Sequence, residues 1–420
     1  MKGVADFDII RDPLWDNIRV DRAVMRLVDS PAVQRLRYIR QLGHAFLVYP
    51  GATHSRFEHA LGTYHLTKLA LAALDERGEL ERVTADDQLA VRLAALLHDI
   101  GHYPFSHALE EAGFPSHEGL GVRALGQGEL AAELARFDVP DLPERISALI
   151  TGRSSSPLAG LISGSLDLDK IEYLSRDAWM CGVPYGSVDV NRLLAALTLV
   201  ESARRVEVGV HEKGVSALES LLFAKYQMYR NVYWHHAVRA ATCMFKRAVR
   251  SAVARSVVTE DAVSGMTDGG LMERLVAAEP NGLAAAIVAR RLYKRALDLP
   301  ASDVPHETQP WLSDDPTLLQ RVEDRLAAEV GLAPGELLID YPARPSMLSV
   351  NLPFRTREGQ ADRLTGQGRQ GQLGLPRVAE ELYQSARRMR VFVAARPDRD
   401  VSKVLELVTV PAEQLKFSNP

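Results

Sequence analysis

The chain has 420 residues, with 50 Lys and Arg against 54 Asp and Glu and a formal net charge of -4. That length allows one large core or several domains, and the near balance of charge argues against a broad nucleic-acid-binding face. Two cysteines cannot build a disulfide framework and the apolar stretches are too short to span a bilayer, so a cytoplasmic protein with no membrane attachment is expected.

Phe7 to Ile10 and Ile18 to Val20 read as extended pieces around a turn at Asp12-Pro13, and a helix follows Asp21. Ser30 before Pro31 is an N-cap with proline at the first helical position, and predicts a helix through Val33, Leu36 and Ile39 to Gly43. Phe46 to Tyr49 reads as a short extended run closed by Pro50-Gly51. Apolar residues at helical spacing predict helices from about Ser55 to Arg77 and from Ala85 to His98. Short helical pieces and turns fill 105–118, and two amphipathic segments fill 128–152. In the next helix Asp169, Tyr173 and Asp177 stand at i, i+4 and i+8, so they share one face, with Lys170 beside them.

Leu193 to Leu197 is helical, and 198–200 with 205–210 is a hairpin candidate turning at Glu201 to Ala203. One long helix is predicted over about 215–255, carrying a stripe of Tyr226, Tyr229, Tyr233 and His236. Further helices are expected over 258–299, then a Pro- and Asp-rich linker over 298–314 and a helix over 316–330. After that, 336–340, 347–351 and 391–395 are strand-like, 366–374 is a glycine-rich loop, and 376–389 is helical. The expectation is a mainly α fold: a helical region over 1–300, with its core at about 40–245, and a small α+β region over 301–420.

Eight of the 12 histidines fall between residues 44 and 117: His44, His54, His59, His65, His98, His102, His107 and His117. A hydrophobic core has no use for that density. His98-Asp99 ends an apolar helix just before Gly101 and Pro104. Alone, the pair is explained by the helix dipole, which favours a cation at a C-terminus. With His59 and Asp169 it becomes two imidazoles and two carboxylates, a set that suits one first-row divalent ion and leaves positions for water and substrate oxygens. Only the tertiary fold can bring these distant residues together. Arg56 could pair with a carboxylate such as Glu58, although its place before His59 favours a phosphate contact; Lys170 could be a surface lysine, and Arg230 could pair with an acid on a neighbouring helix.

The motif His, His-Asp, Asp resembles that of the HD-domain phosphohydrolases. Gln34 to Gly43, Tyr49 to His59, His98 to His107 and Asp167 to Asp177 are similar to one group of them, the deoxynucleoside triphosphate (dNTP) triphosphohydrolases. The likeness covers about residues 7–245, and no sterile-alpha-motif domain is expected ahead of it. It implies an HD-domain helical bundle that releases a deoxynucleoside and whole triphosphate by attack at the α-phosphorus. His59, His98, Asp99 and Asp169 would hold one divalent metal ion, whether Mn, Fe, Mg, Ni, Co or Zn. His102, His107 and His117 would be the catalytic histidines, with His107 near the scissile bond. Arg56, Lys170 and Arg230 would hold phosphates. Gln41 and Asp177 would bond the 3′-hydroxyl, while Leu42 and Tyr173 would crowd a 2′-hydroxyl. Asp29, Gln34 and Arg37 match positions that read a guanine nucleotide effector, although Asp8 stands where a basic residue is expected. The partners implied are a dNTP substrate, a nucleotide effector and further copies of the chain in a dimer or tetramer. Two alternatives are a hydrolase of another nucleotide, such as a monophosphate or a signalling nucleotide, and a nucleotide-binding regulator with a vestigial site.

Overall fold

The structure is a computed structural model that describes residues 6–201, 205–305, 308–342, 350–365 and 375–415, with side chains from residue 379 in the last stretch. Its body is helical. Three helices carry the future site. Arg56–Asp75 starts at a reciprocal cap, in which the Ser55 backbone N–H donates to the Glu58 carboxylate at 2.5 Å. Ala85–Leu97 starts at Thr84, whose hydroxyl accepts from the Asp87 N–H at 3.1 Å. Leu168–Cys181 starts at Asp167, which accepts from the Lys170 N–H at 2.9 Å. Leu61, Leu66 and Ala70 from the first, Leu93, Leu96 and Leu97 from the second, and Ile171 and Leu174 from the third are buried in one core. The first and third helices meet at Gly62, where a Cβ would come within 2.1 Å of Glu172 Oε1. Only a residue without a side chain permits that approach.

Three small sheets complete the fold. Phe7–Asp12 and Asp16–Asp21, where two extended pieces around a turn were expected, pair as a hairpin. Leu197–Glu201, Val206–His211, Leu352–Arg355 and Ala361–Leu364 form a four-stranded sheet in that order, in which Val206–His211 and Leu352–Arg355 run parallel. Lys294–Pro300, Arg388–Val393 and Leu337–Asp340 form a third sheet, antiparallel throughout, with Arg388–Val393 in the centre. The mainly α body with a small α+β C-terminal part is therefore as expected. No helix among the described residues is long and apolar enough to cross a membrane.

Several local expectations are corrected. The helix from Pro31 ends as α-helix at Arg35 and as a 3₁₀ turn at Tyr38, short of Gly43. Phe46 to Tyr49 is not extended: Gly43–Leu47 is a 3₁₀ helix, entered through a positive φ of 52° at Gly43. The long helix over 215–255 is two helices, Val215–Met228 and His236–Ala254. They are separated by a π turn, Tyr229–Tyr233, where the Tyr229 ring stands 5.0 Å from Tyr233 and 5.2 Å from Trp234. Lys294–Pro300 is a strand rather than helix, because its partner Arg388–Val393 overrides local preference. The expected linker is packed, with Val304, Trp311 and Leu312 buried in the C-terminal core. The strand expected over 347–351 begins instead at Leu352, and its residues 347–349 lie outside the described residues, as do the turn residues 202–203 and the loop 366–374.

Candidate metal centre and histidine cluster

The three helices bring His59, His98 and Asp169 together, each offering a ligand atom within 4.8 Å of the others. His59 Nε2 is 2.9 Å from Asp169 Oδ1 and 3.1 Å from His98 Nε2. Asp99, 2% exposed, completes the group: its oxygens lie 3.3 Å from His98 Nε2 and 3.7 Å from His59 Nε2. His98 and Asp99 face one point because the helix ends between them. His98 is its C-cap, and the next residues turn.

The two imidazoles are oriented as a metal site needs. His59 Nδ1 donates to Glu172 Oε2 at 2.5 Å, and His98 Nδ1 donates to the Ala95 carbonyl at 2.9 Å. Both Nε2 atoms are thereby turned into the site, where a bound ion would take the place of the proton on His59. Glu172 is fixed in turn by Arg176 Nε at 2.7 Å and by the Trp15 indole N–H at 2.9 Å. Arg176 reaches Asp12 at 3.0 Å. Burial disfavours a charged His59, but its hydrogen bonds to Asp169 and Glu172 outweigh burial and push its pKa up to about 10. Burial opposes ionisation of Asp99 as well, yet the neighbouring Arg56 charge holds its carboxyl well below the usual range. A buried site that favours cationic charge this strongly, with two oriented imidazoles and two carboxylates, fits a divalent ion.

Behind Asp99 lies a second group, His102, His107 and His117. His102 is buried, 3.2 Å from Asp99, and its ring stacks on His117 at 3.7 Å. His107 stands edge-on to both. The Glu110 carboxylate bridges two of them, accepting from His107 Nδ1 at 2.6 Å and from His117 Nδ1 at 2.8 Å. Burial opposes charge on His117, but the bond to Glu110 raises its pKa overall. Burial and the nearby Arg56 charge push His102 far down, so it is neutral. The His107 side chain is 58% exposed, the most open of the three.

Around these groups the other expected residues fall into place unevenly. Arg56 pairs with Asp99 at 2.7 Å and donates to Ser106 at 3.0 Å, not to Glu58. Lys170 is no free surface lysine; it bonds Asp167 and the Gly164 carbonyl. Asp177 accepts from His54 Nε2 at 2.8 Å and from the Tyr233 hydroxyl at 2.7 Å. The Tyr173 ring lies 6.4 Å from that of Tyr233. Gln41 is buried, with no hydrogen-bond partner for its Oε1 among the described residues. Leu42 packs with Ala45, Ala52 and Val238. Arg230 is exposed and donates to the Tyr226 hydroxyl at 2.8 Å. Of the effector residues, Arg37 donates to Gln34 Oε1 at 2.8 Å, and Gln34 to the Val28 carbonyl at 2.8 Å. Asp29 is the exposed C-cap of the preceding helix.

Sequence reasoning missed Glu172, Arg176 and Glu110, whose partners are set by the fold. It also missed Lys225, which is buried on a helix face with Leu221, Leu222 and Ala224. Burial and the neighbouring Lys170 charge push the Lys225 pKa down to about 8. A lysine among buried apolar neighbours at helical spacing is the signal that could have found it.

Comparisons with known proteins agree with this geometry. A family model described as HD domain matches residues 56–170, and one described as HD associated region matches residues 188–406. Protein MJ1154 of Methanocaldococcus jannaschii is 36% identical over 354 residues, which is 84% of this chain and 72% of that protein. The human deoxynucleoside triphosphate triphosphohydrolase SAMHD1 is 25% identical over 353 residues, 76% of this chain but 54% of that one. The chain thus spans about half of SAMHD1. The crystal structure of a hypothetical protein from Aquifex aeolicus superposes with a TM-score of 0.70 at 27% identity, covering 96% of this chain and 99% of that chain. The site that opens on His59, the region that follows it and the relatives that share both place the chain in the HD-domain family, in the branch that carries the HD-associated region.

Proposed function

We propose that the chain is a metal-dependent dNTP hydrolase that releases deoxynucleoside and inorganic triphosphate. One observation carries the reading: His59, His98 and Asp169, with Asp99, converge from three helices directly against the imidazoles of His102, His107 and His117. The first group suits a divalent cation and the second a phosphate chain, and this reaction needs both. The similarity to SAMHD1, a deoxynucleoside triphosphate triphosphohydrolase, supports the substrate class.

His59, His98, Asp99 and Asp169 would hold the ion, which supplies Lewis acidity toward water and a phosphoryl oxygen. The remaining work falls to the chain's own groups. Arg56, Lys170 and Lys225 gather cationic charge around the site, and Arg230 would add to it at the rim; a triphosphate needs such neutralisation. His107, held at Nδ1 by Glu110, would give the Nε2 proton to the leaving 5′-oxygen. His117, whose charge Glu110 favours, would resupply it, while neutral His102 would orient a phosphate oxygen. Gln41, whose Oε1 has no partner among the described residues, and Asp177 would bond the 3′-hydroxyl, and Leu42 and Tyr173 would line the sugar. Asp29, Gln34 and Arg37 would read an effector nucleotide.

The test incubates purified protein and Mn²⁺ with each dNTP, with and without GTP, and separates the products by ion-exchange chromatography. Deoxynucleoside and triphosphate are expected. Monophosphate and pyrophosphate, or no turnover of any dNTP, would overturn the reading. His98→Ala and Asp169→Ala are each expected to lose both bound metal and turnover.

A further inference from the structure

The C-terminal region reaches the catalytic histidines through one buried arginine. Arg239, on the His236–Ala254 helix, is 5% exposed. Its guanidinium forks onto two carboxylates. Nη1 and Nη2 donate to Glu111 Oε1 and Oε2 at 2.9 and 2.8 Å. Nη2 also reaches Asp340 Oδ1 at 2.6 Å, while Nε lies 3.1 and 3.2 Å from the two Asp340 oxygens. Asp340 is buried and ends strand Leu337–Asp340 of the C-terminal sheet. Lys246 Nζ adds a contact to Glu111 at 3.0 Å.

Glu111 is the chain neighbour of Glu110, the carboxylate that bridges His107 and His117. Its backbone N–H returns to the His107 carbonyl at 3.2 Å. The Glu110–Glu111 unit is therefore tied on one side to the histidines and on the other, through Arg239, to the sheet. A buried ionic cluster of this kind adds little net stability over apolar packing of the same volume, whereas it fixes geometry through several directional bonds.

We propose that Arg239, Glu111 and Asp340 form a positioning clamp that holds Glu110 against His107 and His117, so that the C-terminal sheet sets the place of the catalytic acid. The acid role of His107 rests on the proposed dNTP hydrolysis, but the clamp itself does not depend on the substrate.

Glu111→Gln in the full chain tests it, because that side chain is one-third exposed and the change is nearly isosteric. With Mn²⁺ and dGTP, kcat is expected to fall about tenfold, the scale of losing an outer-shell partner, with KM and bound Mn²⁺ unchanged. In a Glu110→Gln background the same change is expected to have no further effect on kcat, since it acts only through Glu110. Arg239→Lys, which keeps the charge but not the fork, is expected to behave like Glu111→Gln. A second readout needs no substrate: histidine-selective NMR of the ring Cε1–H groups is expected to show the His107 and His117 signals shifted in Glu111→Gln. Unmoved His107 and His117 signals would overturn the clamp, as would losses of kcat that simply multiply in the double variant. If the wild-type chain turns over no dNTP, the failure belongs to the proposed reaction, and the NMR measurement alone decides the clamp.

Discussion

Glu172 accepts the Nδ1 proton of His59 at 2.5 Å and so leaves Nε2 as the nitrogen facing Asp169. Exchanging it for the neutral amide keeps the shape and removes the charge that orients the ring. Glu172→Gln is expected to weaken Mn²⁺ binding about 10- to 100-fold, read by chelator competition, with the circular dichroism spectrum unchanged. His44 offers a prediction about pH. It is fully buried, its ring stacks on Phe105 at 4.3 Å, and neither ring nitrogen has a hydrogen-bond partner among the described residues. Burial first, then the nearby Arg40 charge, pushes its pKa down from 6.5 to about 3. The unfolded chain therefore binds a proton at His44 that the folded chain refuses. The penalty is absent above pH 6.5 and grows as pH falls below it, reaching about 2 kcal/mol at pH 5. Urea denaturation at pH 7 and pH 5 is expected to show a smaller drop in stability for His44→Leu than for the wild-type chain, by about that amount.

At the scale of elements, Gly101 decides how the turn after His98-Asp99 meets the helix that carries His117. A Cβ there would come 2.1 Å from the His117 carbonyl oxygen and 2.3 Å from the Gly121 nitrogen, both main-chain atoms that have little room to move. Gly101→Ala is expected to cost about 1–3 kcal/mol of stability, seen as a lower Tm. It is also expected to reduce kcat, because His117–Leu125 must shift away from His102. The same contrast between near and far explains what the sequence made legible. The helix start at Ser30-Pro31 is local chemistry, and it stands where the capping rule puts it. His59, His98, Asp99 and Asp169 could be picked out as a candidate ligand set because their residue types are distinctive, and the fold brings them together. Glu172 could not, because its value lies in a contact with His59 across 113 residues. Glu110 reads as one acid among several until the fold sets both imidazoles on its two oxygens. Strand Lys294–Pro300 was read as helix for the same reason, since its ladder is formed with residues some 90 positions later. Tyr229–Tyr233 kept helical spacing in the sequence, and nothing in that spacing marks the π turn that separates the two helices.

For the whole molecule, the question is how far the proposed division at residue 300 can be taken as a physical one. Two sheets cross it. Strand Val206–His211 pairs in parallel with Leu352–Arg355, and Lys294–Pro300 pairs along its length with Arg388–Val393. Cutting the chain after residue 300 would bare the edges of both strands, and unpaired edges template aggregation. It would also remove Asp340 from Arg239, leaving a buried guanidinium with only Glu111 and a solvent-exposed cleft where the sheet had been. Removing one partner of a buried pair typically costs about 3–5 kcal/mol, a large share of the marginal stability of a domain. A chain ending at residue 300 is therefore expected to aggregate, or to bind a hydrophobic dye strongly, when examined by size-exclusion chromatography and dye fluorescence at neutral pH. A monodisperse fragment with one Mn²⁺ bound and no dye response would mean that the helical body closes its own core. The two regions would then be separate folding units joined by strand exchange, and the sheet's part in holding Glu110 would have to be carried by Arg239 and Lys246 alone.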